Sequence, residues 1–203
     1  MQGEFDRQIC NLLDKGYPQS AGLGKRAFLN RVEPLRERLP AGAPRKKGRV
    51  PFVIVVKSEK LRAGDALDLE ALKGEGNVNV IEPSELPEFK PIDGVALPAG
   101  PAYLLLDIDL GHDSLNFTPD DALKAILRRK RWPLTVDEGL AVLAHYPDIL
   151  KSHNAFSMLA SRRGDKRVPA LWISKRRPKL GWCWAGNPHT WLGSASCGGR
   201  VGA

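Results

Sequence analysis

Val168-Pro-Ala-Leu-Trp-Ile-Ser174 is followed, across Lys175-Arg-Arg177, by Pro178-Lys-Leu-Gly-Trp-Cys-Trp184. With a period of two, these segments form a β-hairpin. Val168, Ala170 and Trp172 share one face of the first strand. Leu180, Trp182 and Trp184 share one face of the second, and Cys183 points to the other. A hairpin pairs antiparallel by necessity, so the chain ends in antiparallel sheet rather than in a parallel, helix-covered one.

Two more strands lie upstream. Val50-Pro-Phe-Val-Ile-Val-Val56 is a β-branched run whose continuous apolarity predicts cover on both faces. Tyr103-Leu-Leu-Leu-Asp-Ile-Asp109 is a second buried strand. Between them, Leu67, Leu69 and Leu72 mark a short element, Val78 to Ile81 a short strand, and Pro83 to Leu86 a helical turn. Helices and strands alternate irregularly, with no βαβ series and no Gly-rich phosphate loop. The fold class is therefore α+β, with a mixed or mainly antiparallel sheet, packed helices and an N-terminal helical arm.

The helices carry their own start and stop signals. Phe5, Ile9, Leu12 and Leu13 recur at helical spacing, and Gly16-Tyr-Pro18 ends that run. Cys10 sits near its apolar stripe and reads as a small buried residue. Phe28, Leu29, Val32 and Leu35 repeat the pattern, divided by Pro34, which lacks an amide donor. Thr118-Pro-Asp-Asp121 opens a helix with a capping hydroxyl, a proline at the first position and two acids at the positive end. Thr135-Val-Asp-Glu138 is a capping box for the next helix, which Pro147 ends. Asn154 to Ala160 reads as a further short helix, and Arg163-Gly-Asp165 as a turn. The Pro-, Gly- and Lys/Arg-rich stretch 40–49 is a linker. It separates an arm over residues 1–39 from a single α+β domain over 50–203, with the candidate site in 168–200.

Bulk properties narrow the function classes. The 203 residues are 42% hydrophobic, enough for one domain with a real core. No apolar run approaches the roughly 18 residues that span a bilayer, and the first residues lack a signal-peptide layout. Three cysteines without a framework predict free thiols and a cytoplasmic setting. The net charge of +8 concentrates late, notably at Arg128, Arg129, Lys130 and Arg131. That run is either a solvated face or a docking surface for nucleic acid or an acidic partner.

The chemistry-bearing residues crowd the C-terminal stretch. Trp172, Trp182, Trp184, Trp191, Cys183, Cys197 and His189 all fall there, with Asn187 and Arg200. A cluster of indoles around a few polar groups describes either a pocket wall for a planar ligand or a hairpin core. In the pocket reading, Trp182, Trp184, Asn187, Trp191 and Arg200 bind a small molecule. Cys183, His189 and Cys197 are then candidate catalytic groups, a thiol activated by an imidazole being a nucleophile. Cys197 is the more accessible thiol by context, among glycines, and is expected to share a polar cavity with His189 and Asn187. Asp107 and Asp109 share a strand face and are candidate acids; the alternative is that one caps a turn and the other pairs with a buried Arg. No standard zinc spacing is present, since Cys183, His189 and Cys197 give three ligands and His153 or Asp109 a fourth only if the fold brings it close. Two carboxylates on one face, as at Asp107 and Asp109, can also hold Mg²⁺, and the sequence leaves any cofactor unknown.

The stretch from Leu171 to Arg200, with Gly16-Tyr-Pro18, Pro51 to Val56, Tyr103 to Gly111 and Pro133 to Gly139, resembles an uncharacterised family of actinobacterial proteins, a domain of unknown function. The resemblance covers nearly the whole chain. It implies an actinobacterial source and a cytoplasmic setting, and no activity. Ala155 and Arg163 stand where the family pattern often has Cys, which weighs against a four-Cys metal site.

Overall fold

The computed structural model describes residues 1–42, 49–57, 81, 84–150, 155–174 and 177–203. The short element at Leu67, Leu69 and Leu72, residues 78–80 of the expected strand, His153 and the basic pair Lys175-Arg176 lie outside the described residues. Helices α1 (Gln2–Asp14), α2 (Tyr17–Ser20) and α3 (Lys25–Val32) come first. Strands β1 (Val50–Val56), β2 (Lys90–Pro91) and β3 (Ala102–Ile108) follow, then α4 (Pro119–Arg128), β4 (Trp132–Pro133) and α5 (Val136–His145). The last part is all β: β5 (Ala155–Ser157), β6 (Ser161–Arg162), β7 (Arg167–Ser174), β8 (Arg177–Trp184), β9 (Leu192–Ser194), β10 (Ser196–Cys197) and β11 (Gly199–Gly202).

Two sheets organise these elements. The first has the order β1-β3-β11, antiparallel throughout, with Val50 opposite Ile108 and Arg200 opposite Leu105. The second has the order β8-β7-β5-β9. Its hairpin pairs Arg167 with Trp184 and Ser174 with Arg177, and β9 runs parallel to β5. The fold is therefore α+β with mostly antiparallel sheets.

Residues 192–202 stitch the sheets together. Within one short run the chain pairs with β5, bridges Asp109 through Ser196, pairs β10 with β4, and ends as the outer strand β11 on β3.

Alternation along β1 and β3 divides the interior. Val53, Val55, Tyr103 and Leu105 face a core shared with α5 and the second sheet. Phe52, Ile54, Ala102 and Leu104 face Phe5, Ile9, Leu12, Phe28 and Val32 of the N-terminal helices. β1 is thus covered on both faces, as its unbroken apolarity predicts. A third cluster joins Ala122 and Ile126 of α4 to Val168, Ala170 and Cys183 of the hairpin.

The helices of residues 1–39 lie against the first sheet. They share a core with it, and the Gln8 side chain of α1 ties them to its edge. It donates to the Phe52 carbonyl at 3.0 Å and accepts from the Ile54 amide at 2.9 Å, standing in for a neighbouring strand. The stop signals act as written: Pro34 lies in a 3-10 turn, Glu33–Arg38, directly after α3, and Gly16 takes φ 76° after α1. Thr118 caps α4 through the Asp121 amide, and the capping box at Thr135 and Glu138 is complete.

Two local expectations fail. Residues 155–157 are strand rather than helix: β5 is held between β7 and β9, partners that become neighbours only in the folded chain. Cys10 is exposed, because it falls beside the buried stripe of Phe5, Ile9 and Leu12 and not on it.

Candidate functional site

The two strand-borne acids are held by arginines. Asp107 takes φ 50°, a left-handed conformation unusual for a non-glycine residue, and this turns β3 at its C-terminal end. Its Oδ2 accepts from Arg49 at 2.8 Å and from Arg131 at 2.7 Å. Asp109 accepts from Arg49 through Oδ2 and from the Gly111 amide through Oδ1. One acid therefore caps a turn while both pair with arginine. Arg131 is buried, and it also donates to the Ser196 hydroxyl and carbonyl. It is a brace between β3 and β10 rather than a member of the surface basic run.

Neither thiol has a described hydrogen bond to the imidazole. Cys197 is fully buried in the core between the sheets, near Arg200 and Glu138. Burial pushes its thiol up to about 12, against the opposing pull of the Arg200 charge. The glycines around it do not open it to solvent, because they let two short strands, β10 and β11, dock on β4 and β3. Cys183 faces the third cluster, and burial pushes it up to about 11 against the nearby Arg162. Both remain thiols at neutral pH, opposite to the activation a nucleophile needs. His189 sits instead in the loop before β9, its ring edge-on to Trp191 at 5.6 Å and its carbonyl accepting from the Asn116 amide. It has no described contact with Cys197. Among the described residues no group of three His, Cys, Asp or Glu side chains is placed to hold a metal ion.

The indoles divide between core and surface. Trp172 and Trp191 meet edge-on at 6.4 Å and pack on the third cluster. Trp182 packs against the main core under the Arg167 guanidinium. Trp184 leans on Trp182 at 4.8 Å and is 47% exposed. Asn187 is exposed, its amide closing the turn onto the Trp184 carbonyl.

Arg200 belongs to a buried charge cluster. From β11 it donates to both Glu138 carboxylate oxygens, at 2.5 and 2.8 Å, and to the Pro133 carbonyl. The Tyr103 hydroxyl donates to the same carboxylate at 2.9 Å, as does the Thr135 amide. Burial and the Glu138 charge both push the Tyr103 phenol up, so it serves as a donor and not as an acid. Behind this cluster, Arg200 also borders a cavity of 190 Å³ with Ala96 and Trp132.

A larger concavity lies elsewhere, between α2, α5 and the end of β1. Its volume is 410 Å³, and Tyr17, Val56, Tyr103, Leu140 and Ala141 form much of its wall. Besides the two tyrosines, three ionisable side chains reach it: Asp137, Lys57 and His145. His145 is buried and spoken for, since it accepts from Asn11 through Nδ1 and donates to the Ile54 carbonyl through Nε2. Burial holds it down to about 3, so it is neutral. Lys57 donates to the Pro98 carbonyl at 2.5 Å and lies over the Tyr103 ring. Asp137 differs from both. It is exposed while lining the concavity, and among the described residues its carboxylate has no hydrogen bond and no ion pair. Desolvation first, and the neighbouring Glu138 charge second, push its carboxyl up, against the first-turn position on α5 that favours its anion.

The concavity contains none of the ten residues singled out from the sequence. Asp137 was legible only as a first-turn acid, and the signal that distinguishes it, an acid without a partner, exists only in three dimensions. Arg49 and Arg131 were hidden in basic runs.

The chain belongs to a family of unknown function, DUF5701, which matches residues 11–203. No curated protein and no solved structure matches it.

Proposed function

We propose that this member of the family binds a small organic molecule in the concavity beside Asp137. The observation that carries the reading is an apolar-walled cavity of 410 Å³ with one accessible carboxyl that has no partner among the described residues. That size suits a small-molecule site, and a concave apolar wall with few polar groups is the usual form of one. A titrating group pushed from its ordinary range inside a cleft is a further mark of function. A Trp/Cys/His-lined pocket is the competing location for the same activity. It has less support, because both thiols are buried and the indoles pack on separate clusters. Three free cysteines and the absence of any described helix long and apolar enough to cross a membrane accord with a cytoplasmic setting, and an actinobacterial source rests on the resemblance.

The test uses N-phenyl-1-naphthylamine, a neutral dye that brightens in apolar surroundings. Saturable binding is expected, and Ala141→Phe, which fills the cavity, should abolish it while the protein stays folded by circular dichroism. Undiminished binding in Ala141→Phe would remove the cavity from consideration.

A second reading is docking on nucleic acid or an acidic partner. Arg128, Arg129 and Lys130 are all exposed beside Trp132, itself 42% exposed, a pairing of cations and indole that suits a single-stranded polyanion. The double charge reversal Arg128→Glu/Lys130→Glu should weaken binding to a single-stranded oligonucleotide, with an effect that shrinks as salt rises. Unchanged affinity at low salt would leave the run as solubilising surface.

A further inference from the structure

The charge pattern of the concavity narrows the ligand class; this step rests on the small-molecule reading above. Apart from the tyrosines, the wall has three ionisable side chains, and two of them are already engaged. His145 has a partner on each ring nitrogen, and Lys57 is bound by the Pro98 carbonyl and the Tyr103 face. Glu138, next to Asp137 in sequence, is neutralised by Arg200 and turned into the core. Asp137 alone presents a carboxyl to the cavity, and among the described residues no cation forms an ion pair with it. The surrounding wall offers aromatic faces, Tyr17 and Tyr103, and the aliphatic groups of Leu140 and Ala141.

We infer that the concavity takes an organic ammonium compound, a compact apolar or aromatic body carrying one amine, with the amine on the Asp137 carboxylate. An ammonium supplies the counter-ion and the N–H donors that Asp137 lacks, and its body replaces water against the apolar wall. A carboxylate or phosphate ligand would instead meet Asp137 as a like charge. The raised carboxyl of Asp137 agrees with this: a group that ionises reluctantly when alone ionises readily beside a cation.

Displacement of N-phenyl-1-naphthylamine from the full chain at neutral pH tests the inference. The competitors are phenethylammonium and its near-isostere 2-phenylethanol, which differ in charge and little in shape. Phenethylammonium should displace the dye at about tenfold lower concentration, a ratio typical of one well-placed charge-assisted contact. Asp137→Asn keeps the volume and removes the charge, and it should bring the two competitors together. Lys57→Met should leave the preference intact or enlarge it. Equal potency in the wild type, or a preference that survives Asp137→Asn, overturns the ammonium assignment while leaving the cavity as a binding site. Failure of the dye to bind the wild type overturns both.

Discussion

At the scale of single residues, ionisable groups carry the strongest statements. Glu138 is fully buried, and Arg200 is its one described cation. Removing one member of such a pair strands the other charge in the core. Arg200→Met should therefore destabilise by about 3–5 kcal/mol in urea unfolding. Glu138→Gln/Arg200→Met should recover much of that loss, since no charge is then left behind. Equal losses in the two proteins would mean that Arg200 acts through packing alone. His145 makes a pH statement. Its ordinary value is 6.5 and the fold holds it down to about 3, by burial first and with the Arg7 and Lys15 charges adding to it, against the Ile54 carbonyl and Glu4. Above pH 6.5 both folded and unfolded chains leave it neutral. Between 6.5 and 3 only the unfolded chain takes the proton, so stability falls as pH falls, by about 1.4 kcal/mol per unit at most. Glu4 adds to this lower down: against burial, bonds from Arg7, Tyr146 and Gln8 hold it at about 2, so its contribution is lost as pH falls below 4.5. The urea midpoint should therefore decline from pH 6.5 to 5, and His145→Gln should flatten that part of the profile. A wild-type midpoint constant over this window would contradict a neutral buried imidazole.

At the scale of elements, the seam between β9 and the turn after β3 is closely packed backbone against backbone. Gly111 takes φ 78°, and a methyl group there would lie 2.2 Å from the Ser194 carbonyl oxygen. Gly164 has a similar φ of 86° but open space around it. Gly164→Ala should lose only the left-handed backbone preference, about 1–2 kcal/mol. Gly111→Ala adds a backbone collision and should lose clearly more, judged by urea midpoints; equal losses would mean that the seam yields. The same seam shows what sequence reading reaches. Residues 50–56, both strands of the hairpin and the caps at Thr118 and Thr135 declare themselves through local period and capping chemistry. β5 does not, being three residues long with partners at Leu171 and Gly193. β11, Gly-Arg-Val-Gly, carries no period and is a strand only because β3 offers it an edge. Local patterns report local forces, and these two strands are held by distant ones.

At the scale of the whole molecule, the N-terminal helices, the first sheet and α5 line an apolar-walled concavity in which Asp137 has no ion pair among the described residues, and no residue of the indole-rich hairpin that dominates the sequence belongs to that lining. Indoles attract notice in a sequence because they are rare and chemically versatile. Here most of them fill hydrophobic clusters, and the hairpin they decorate braces the second sheet. Asp137 gives no such signal, since a carboxylate in a first helical turn is ordinary. The measurement that separates the two locations most directly is a ¹H–¹³C and ¹H–¹⁵N NMR titration of the full chain with phenethylammonium. The methyl signals of Ala141 and Leu140 should shift saturably, while the indole N–H signals of Trp182 and Trp184 stay fixed. Saturable shifts at those indoles, with Ala141 and Leu140 unmoved, would contradict the account and return the site to the hairpin.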